Sequence, residues 1–129
     1  DAGALFIREV AKYPAIAFES AQFRHGPIEL VADGFAAVIF IPRGRCEDMQ
    51  LRIVNEIVMH GGRVVAIAEE GVPVPENESI LVIRQQYVSQ ELAPLVNILP
   101  IQAFADYVSK DQGYDVAVFR CGSKVTDIE

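Results

Sequence analysis

The sequence predicts an α/β fold, specifically a three-layer, doubly wound and mainly parallel sheet with helices on both faces. Segments 35–41, 63–68 and 80–83 are almost entirely apolar, without polar alternation, as expected for strands covered on both sides. Other segments, whose apolar residues recur with the period of an α-helix, precede, separate or follow these strands. This order is typical of strand–helix–strand units. The 129 residues suit one core, so we expect a single domain over residues 1–129.

The clearest helix is predicted over residues 46–60. Its apolar residues recur at helical spacing, acidic residues occupy its first turn, and Gly61 and Gly62 follow its last turn. Residues 71–79 form a Pro-rich loop between the second and third strands. The last helix is predicted near residues 94–112, with an apolar stripe and a bend at Pro100; the stripe is Leu95, Leu99, Phe104 and Val108.

The segment before the first strand is predicted to be helical. Residues 3–13 form one helix that Pro14 ends or kinks, residues 18–24 form a second, and Pro27 begins a further turn over 28–31. No strand precedes these helices, although an intact doubly wound module would carry one. We therefore expect the sheet to lack its first strand and the N-terminus to be a cut end.

Composition excludes several classes of protein and favours an association surface. Hydrophobic residues make up 51% of the chain and the mean hydropathy is +0.24, which predicts more apolar surface than a small core needs and a large partner interface. The longest apolar run, 35–42, is shorter than the roughly 20 residues of a membrane span, and no secretory segment opens the chain, so no membrane partner is expected. A net charge of −7 with scattered basic residues argues against nucleic-acid binding.

Two cysteines, Cys46 and Cys121, stand at no metal-ligand spacing and indicate neither a disulfide framework nor a zinc site. The expected compartment is the cytoplasm. Cys46 follows Arg43 and Arg45 at a helix start, a setting that lowers a thiol pKa, although a small packing residue is the commoner role.

Three residues are candidates for chemistry. His25 stands between Arg24 and a Gly-Pro turn, where a loop-apex imidazole can exchange protons near neutral pH. Glu9 lies on an apolar helix, where partial burial would raise its carboxyl pKa towards that of a general base. Lys124 belongs to a short polar tail. By residue type alone, a surface histidine, a solvated glutamate and an exposed lysine are the commoner interpretations.

Several motifs are absent. The chain has no P-loop, no dinucleotide fingerprint and no Ser- and Thr-rich loop of the kind that wraps a sugar phosphate. It is therefore not expected to hold a phosphate in that way, and no metal or organic cofactor is implied.

Taken together, short strings spread over residues 3–129 resemble one known family. They are Gly3-Ala4-Leu5, Glu9, residues 20–27 (Ser-Ala-Gln-Phe-Arg-His-Gly-Pro), Leu99-Pro100-Ile101-Gln102 and Ser123-Lys124-Val125-Thr126. They are similar to the second, C-terminal sugar isomerase (SIS) domain of glutamine:fructose-6-phosphate aminotransferase and of the SIS-type glucosamine-6-phosphate deaminases. Each string is weak alone, but their order and spacing together make a strong signal.

The resemblance implies an α/β module with a five-stranded parallel sheet, flavodoxin-like in topology, that is half of a two-SIS-domain isomerase. The upstream SIS domain would carry the phosphate loop, and the enzyme would be a homodimer acting on a phosphorylated amino sugar or ketose. The family's catalytic glutamate, which moves a proton between C1 and C2 of the open sugar, falls on Glu9. Its ring-opening histidine, which reaches the neighbouring subunit's site, falls on His25, and the lysine that closes over the open-chain sugar falls on Lys124.

One position departs from the aminotransferase pattern. Phe6 stands where the aminotransferase has a lysine one turn before the glutamate, and a phenyl ring can neither hydrogen-bond to the sugar nor carry charge. Ala21-Gln22, which precede the string Phe23–Pro27, also resemble the deaminase-like relatives. Both features favour a deaminase over a synthase.

Three functions stay open at the level of sequence. The first is half of an aldose-ketose isomerase that works by general acid-base proton transfer, and that as an isolated chain is inactive. The second is a non-catalytic module that senses phosphosugars. The third is a degenerate half of such an enzyme, which only completes the sheet and the dimer. Retention of Glu9, His25 and Lys124 together favours the enzyme.

Overall fold

The computed structural model of the protein describes residues 1–89, 91–116 and 118–121. The chain divides into two compact units, Phe18–Gln90 and a second one made of Asp1–Ala17 with Glu91–Glu129. We call the first the sheet unit and the second the helical unit. That residues 1–129 form one domain stays a prediction.

The sheet unit contains three parallel strands in the order β1-β2-β3. They are β1 Ala36–Ile41, β2 Arg63–Glu69 and β3 Ile80–Gln85. In register, Ala36 lies opposite Arg63, and Val64 lies opposite Ile80. Ala66, Ile67 and Ala68 are consecutive and buried, and because neighbouring strand residues point to opposite faces, β2 is covered on both sides. The predicted parallel α/β sheet is confirmed, with strand ends shifted by one or two residues.

Helix α3, Glu47–Met59, connects β1 to β2 and buries Ile53, Val54 and Ile57 in the core cluster of this unit. Its C-terminus is closed by both glycines that the sequence placed there. The Gly62 N–H donates to the Ile57 carbonyl at 2.9 Å and the Gly61 N–H to the Val58 carbonyl at 3.1 Å, a Schellman arrangement. Gly61 has φ 87°, the left-handed conformation that this cap requires and that glycine adopts without a steric penalty.

Two short helices precede β1 in the sheet unit. They are α2, Ser20–Arg24, and a 3₁₀ helix, Pro27–Leu30, with Pro27 at its first position as the sequence predicted. Helix α2 begins two residues later than expected.

The helical unit joins the two ends of the chain. Helix α1, Ala2–Phe6, continues into a π-helical turn, Ile7–Ala11, and both pack against α4, Ala93–Asp111. The helical segment ends at Ala11, and its C-cap Lys12 is left-handed with φ 56°, two residues before Pro14. The long helix continues through Pro100. No helix in the described parts of the chain is long and apolar enough to cross a membrane.

The buried face of α4 differs from the stripe predicted from its largest apolar residues. Leu95 and Leu99 are 68% and 58% exposed, whereas Ile101, Ala105 and Ser109, four residues apart, are buried. The apolar stripe therefore lies mainly outside the face of α4 that is buried within this chain. Helix α1 packs on α4, where Gly3 faces Ile101 and an added Cβ would make an ordinary contact of 3.5 Å.

Candidate functional site

Of the three predicted site residues, Glu9 belongs to the helical unit and His25 to the sheet unit. Lys124 lies outside the described residues.

Glu9 lies in the π-helical turn Ile7–Ala11, and its side chain is exposed. Its carboxylate has no hydrogen-bond or ion-pair partner in the described parts of the chain, whereas its carbonyl accepts a bond from Lys12 Nζ. A π-helical turn departs from the regular ladder and is frequent at functional sites. The partial burial that would activate this carboxylate is not supplied by the described residues, so it would have to come from substrate or from further protein.

The π-helical turn is held from two sides. The Ser109 hydroxyl on α4 lies 3.3 Å from the Val10 carbonyl, and Arg8 Nη1 donates to the Ala15 carbonyl at 2.9 Å. Lys12 Nζ lies 5.8 Å from the centroid of the Phe119 ring. The backbone beneath Glu9 is thus fixed although its side chain is free, which suits a group that must meet a ligand.

His25 is the C-terminal cap of α2, and its side chain is exposed. Its N–H donates to the Gln22 carbonyl at 3.1 Å, and the Gly26 carbonyl accepts the Glu29 N–H at 2.9 Å. Gly26 has φ 148°, so the chain turns sharply between α2 and the 3₁₀ helix. The imidazole has no hydrogen-bond partner among the described residues. The predicted loop apex is confirmed, and the ring is available for an external proton donor or acceptor.

Helix α2 is attached to α3 at both ends. Ser20 Oγ donates to Gln50 Oε1 at 2.9 Å, and Arg24 makes a two-pronged pair with Glu56 through Nη2–Oε1 at 2.9 Å and Nε–Oε2 at 3.2 Å. Between them, the Phe23 ring enters the core cluster. We call the Arg24–Glu56 pair the clamp. It fixes the residue next to His25, so the histidine leaves the helix from a defined point.

Sequence reasoning noted Arg24 only as a neighbour of His25 and did not identify Glu56. The two are 32 positions apart, and Glu56 is one of several acidic residues on α3, so no local pattern pairs them. Cys46 is exposed at the N-cap of α3, and no side-chain hydrogen bond caps that helix. No group of three His, Cys, Asp or Glu side chains in the described ranges is arranged to hold a metal ion.

Known proteins resemble this chain over nearly its whole length. Glutamine–fructose-6-phosphate aminotransferase (isomerizing) of Corynebacterium efficiens is 32% identical over 98% of the chain, and that of Aquifex aeolicus is 26% identical over 98%. The chain spans only about a fifth of these relatives, 21% and 22% of their lengths. No protein-family model matches the chain.

Solved structures agree with the sequence relatives. The C-terminal domain of glucosamine-fructose-6-phosphate aminotransferase from Francisella tularensis superposes with a TM-score of 0.80 at 27% identity, over 88% of this chain and 32% of that one. A glucosamine-6-phosphate deaminase from Thermotoga maritima, at 19% identity, gives a TM-score of 0.67 over 88% of this chain and 31% of its own, a likeness of fold alone. The chain is thus homologous to the C-terminal region of the isomerizing aminotransferases, which confirms the resemblance that its motifs indicated.

Proposed function

We propose that this chain is the C-terminal SIS domain of an enzyme that isomerises amino sugar phosphates, with amination or deamination at C2. The observation that carries the proposal is the 32% identity over 98% of the chain to an isomerizing aminotransferase. The motif resemblance assigns that family's glutamate, histidine and lysine to Glu9, His25 and Lys124. A cytoplasmic location is part of the same proposal.

In this proposal Glu9 is the general base. A carboxylate that takes a proton from C1 or C2 of the open-chain sugar and returns it to the other carbon interconverts aldose and ketose through an enediol, with the carbonyl moving to the neighbouring carbon. The exposed carboxylate on a fixed backbone supports this role, because it must contact the sugar carbon directly. Enclosure by substrate would then desolvate it and raise its basicity.

His25 acts in ring opening, and its exposure at a turn supports a role towards a neighbouring subunit. We propose that the enzyme is a homodimer in which Glu9 and Lys124 of one subunit meet His25 of the other at one sugar. Lys124, in the C-terminal tail, closes over the open-chain sugar. An upstream SIS domain provides the phosphate loop that this sequence lacks, so the isolated chain is inactive.

Two reactions fit this site, the glutamine-dependent synthesis of glucosamine 6-phosphate and its deamination. The sequence relatives are named as aminotransferases, whereas Phe6, in place of the aminotransferase lysine, favours the deaminase. Assaying the full-length protein for ammonia released from glucosamine 6-phosphate, and for glucosamine 6-phosphate formed from fructose 6-phosphate and glutamine, separates them.

The catalytic assignment is tested by Glu9→Gln in the full-length enzyme. Loss of a general base lowers kcat by roughly 10²–10⁴-fold, with KM nearly unchanged, whereas Glu76→Gln, at an exposed loop glutamate, leaves both constants unchanged. Full turnover by Glu9→Gln would overturn the assignment. Sugar phosphate binding without turnover in the wild-type protein would instead favour a phosphosugar sensor.

The shared site is tested by mixing Glu9→Gln and His25→Ala subunits. If the two residues come from different subunits, a mixed dimer regains one wild-type site, and up to half of its sites become active. Absence of recovery despite demonstrated subunit exchange would show that each site is built within one chain.

A further inference from the structure

The sheet unit contains a cavity of about 630 Å³ that the proposed chemistry does not use. Its lining comes from the segments that follow the three strands: Arg43, Gly44 and Glu47 after β1, Glu70 after β2 and Tyr87 after β3. The carboxyl ends of parallel strands are where α/β sheets bind small molecules. The cavity is open to solvent, and most of its lining residues are exposed. Neither Glu9 nor His25 is among these lining residues.

The walls of this cavity, which we call the edge pocket, are fixed by hydrogen bonds. The Arg43 N–H donates to Glu69 Oε2 at 2.9 Å, and the Gly44 N–H donates to Glu47 Oε2 at 3.2 Å. On the other side, Arg84 Nη1 donates to the carbonyl of the buried Val72 at 2.7 Å, which ties down the loop after β2. A ligand would therefore not have to order the segments after β1 and β2 on binding.

Several polar groups in the edge pocket are left without partners. The Arg43 guanidinium makes no ion pair or side-chain hydrogen bond with any described residue, and neither do the Glu70 carboxylate and the Tyr87 hydroxyl. Arg43 is close to the backbone of Gly71, where an added Cβ would lie 3.7 Å from Nη1. Tyr87 is 74% exposed, so its ring is available as a contact surface.

The charges of these groups limit what the edge pocket can take. Arg43 offers a planar set of donors that matches a phosphate or carboxylate group. Glu47 and Glu70 are acceptors for ammonium or hydroxyl groups, and together they give the lining a formal charge of −1 (+1 from Arg43, −2 from the two glutamates). A simple anion would be attracted by one group and repelled by two, whereas a ligand with an anionic end and a cationic, hydroxylated end complements all three.

We propose that the edge pocket is a second ligand site for a small zwitterionic sugar derivative of the amino sugar phosphate class. Its phosphate pairs with Arg43, its ammonium and hydroxyl groups with Glu47 and Glu70, and its apolar face rests on Tyr87. This site goes beyond the proposed catalytic function, since the edge pocket contains none of the residues that are assigned to catalysis. Occupancy by substrate or product would make it regulatory.

The test is the binding stoichiometry of glucosamine 6-phosphate, measured by calorimetry on full-length protein carrying Glu9→Gln to stop turnover. Two sites per subunit are expected. Arg43→Met leaves one, because losing a charge-assisted pair costs roughly tenfold or more in affinity. The matched control Arg45→Met, two residues along and outside the lining, keeps both. Unchanged stoichiometry in Arg43→Met would overturn the proposal.

Two further measurements separate the remaining outcomes. If the proposed catalytic site does not bind the sugar, calorimetry should find one glucosamine 6-phosphate bound per subunit. That binding should be lost in Arg43→Met and kept in Arg45→Met. Glucose 6-phosphate, glucosamine and inorganic phosphate should each bind the Arg43-dependent site more weakly than glucosamine 6-phosphate. Equal affinity for inorganic phosphate would refute the zwitterionic class. In the full-length protein carrying Glu9→Gln, the amide signals of the edge-pocket loops should shift on adding glucosamine 6-phosphate, and these shifts should be lost in Arg43→Met.

Discussion

The two units of this chain bury different kinds of residue. In the sheet unit the core cluster consists mainly of branched and aromatic side chains, including Ile41, Val54, Ile57 and Phe23. In the described part of the helical unit the buried residues are Ala11, Ile101, Ala105 and Ser109, of which only the isoleucine is large. The other large apolar residues described there are exposed or half-buried. Burial of large apolar side chains stabilises the sheet unit from within. In the helical unit small residues fill the contact between helices, so much of its apolar surface stays exposed and can be covered by another protein surface.

The same difference extends to the two candidate residues. His25 follows α2, and that helix is held on α3 by the clamp and by the buried ring of Phe23. Glu9 has a fixed backbone but an exposed carboxylate. Both residues therefore combine a positioned backbone with an exposed side chain, and they differ in what positions the backbone. For His25 it is the packing of α2 on α3, and for Glu9 it is the hydrogen bond from Ser109 to the π-helical turn.

The largest expected effect is in the core of the sheet unit. Ile57 is 1% exposed, so Ile57→Ala should lower the free energy of unfolding by about 2–5 kcal/mol, through lost burial and the cavity left behind. Met59→Ala, at an 81% exposed position of the same helix, should change it by less than about 0.5 kcal/mol. Chemical denaturation of the chain measures both. Equal effects would mean that the sheet unit has no core of its own.

A smaller effect is expected from overpacking the helical unit. Ala105 is fully buried where α4 packs, and Ala105→Leu should cost about 1–3 kcal/mol because the added carbons have no room. Gln102→Leu, three residues earlier and exposed, is the matched control and should be nearly neutral. If Ala105→Leu is tolerated as well as its control, the close helix contact is not what holds this unit together.

The clamp should contribute less than either, because its side chains are 41% and 29% exposed and solvent screens their charges. A double-mutant cycle with Arg24→Met and Glu56→Gln should give a coupling of roughly 0.2–1 kcal/mol that falls as salt rises. In the full-length enzyme, both single variants should lower kcat through displacement of His25, and the charge-reversed pair Arg24→Glu with Glu56→Arg should restore part of it. A coupling that does not respond to salt would rule out an ionic clamp.

The smallest effect on stability is expected at the exposed face of α4. Leu95→Lys should change the unfolding free energy of the chain by less than about 0.5 kcal/mol, since the side chain contacts little of its own chain. In the full-length protein the same change should weaken association, because it would place a charge in an apolar interface. Sedimentation velocity measures that loss. An unchanged assembly would show that Leu95 is outside the association surface.

Sequence alone determined the elements whose signals are local. The three strands, α3 with its Gly61-Gly62 cap and the turn that begins at Pro27 were predicted within one or two residues, because apolar runs and capping residues act on the backbone beside them. The motif strings likewise indicated the relatives that the comparisons confirm, whereas the roles of Glu9, His25 and Lys124 stay predictions.

Packing between distant segments sets which face of α4 is buried and which acidic residue pairs with Arg24. It also brings together the segments after the three strands, which line an open cavity. Periodicity marks the apolar positions of a helix, but the choice between Leu95 and Ala105 depends on how closely another helix approaches. Arg24 and Glu56 are brought together by the packing of α2 on α3, and the edge pocket by strand order. These features arise from contacts between distant residues, and a local pattern carries no information about such distances.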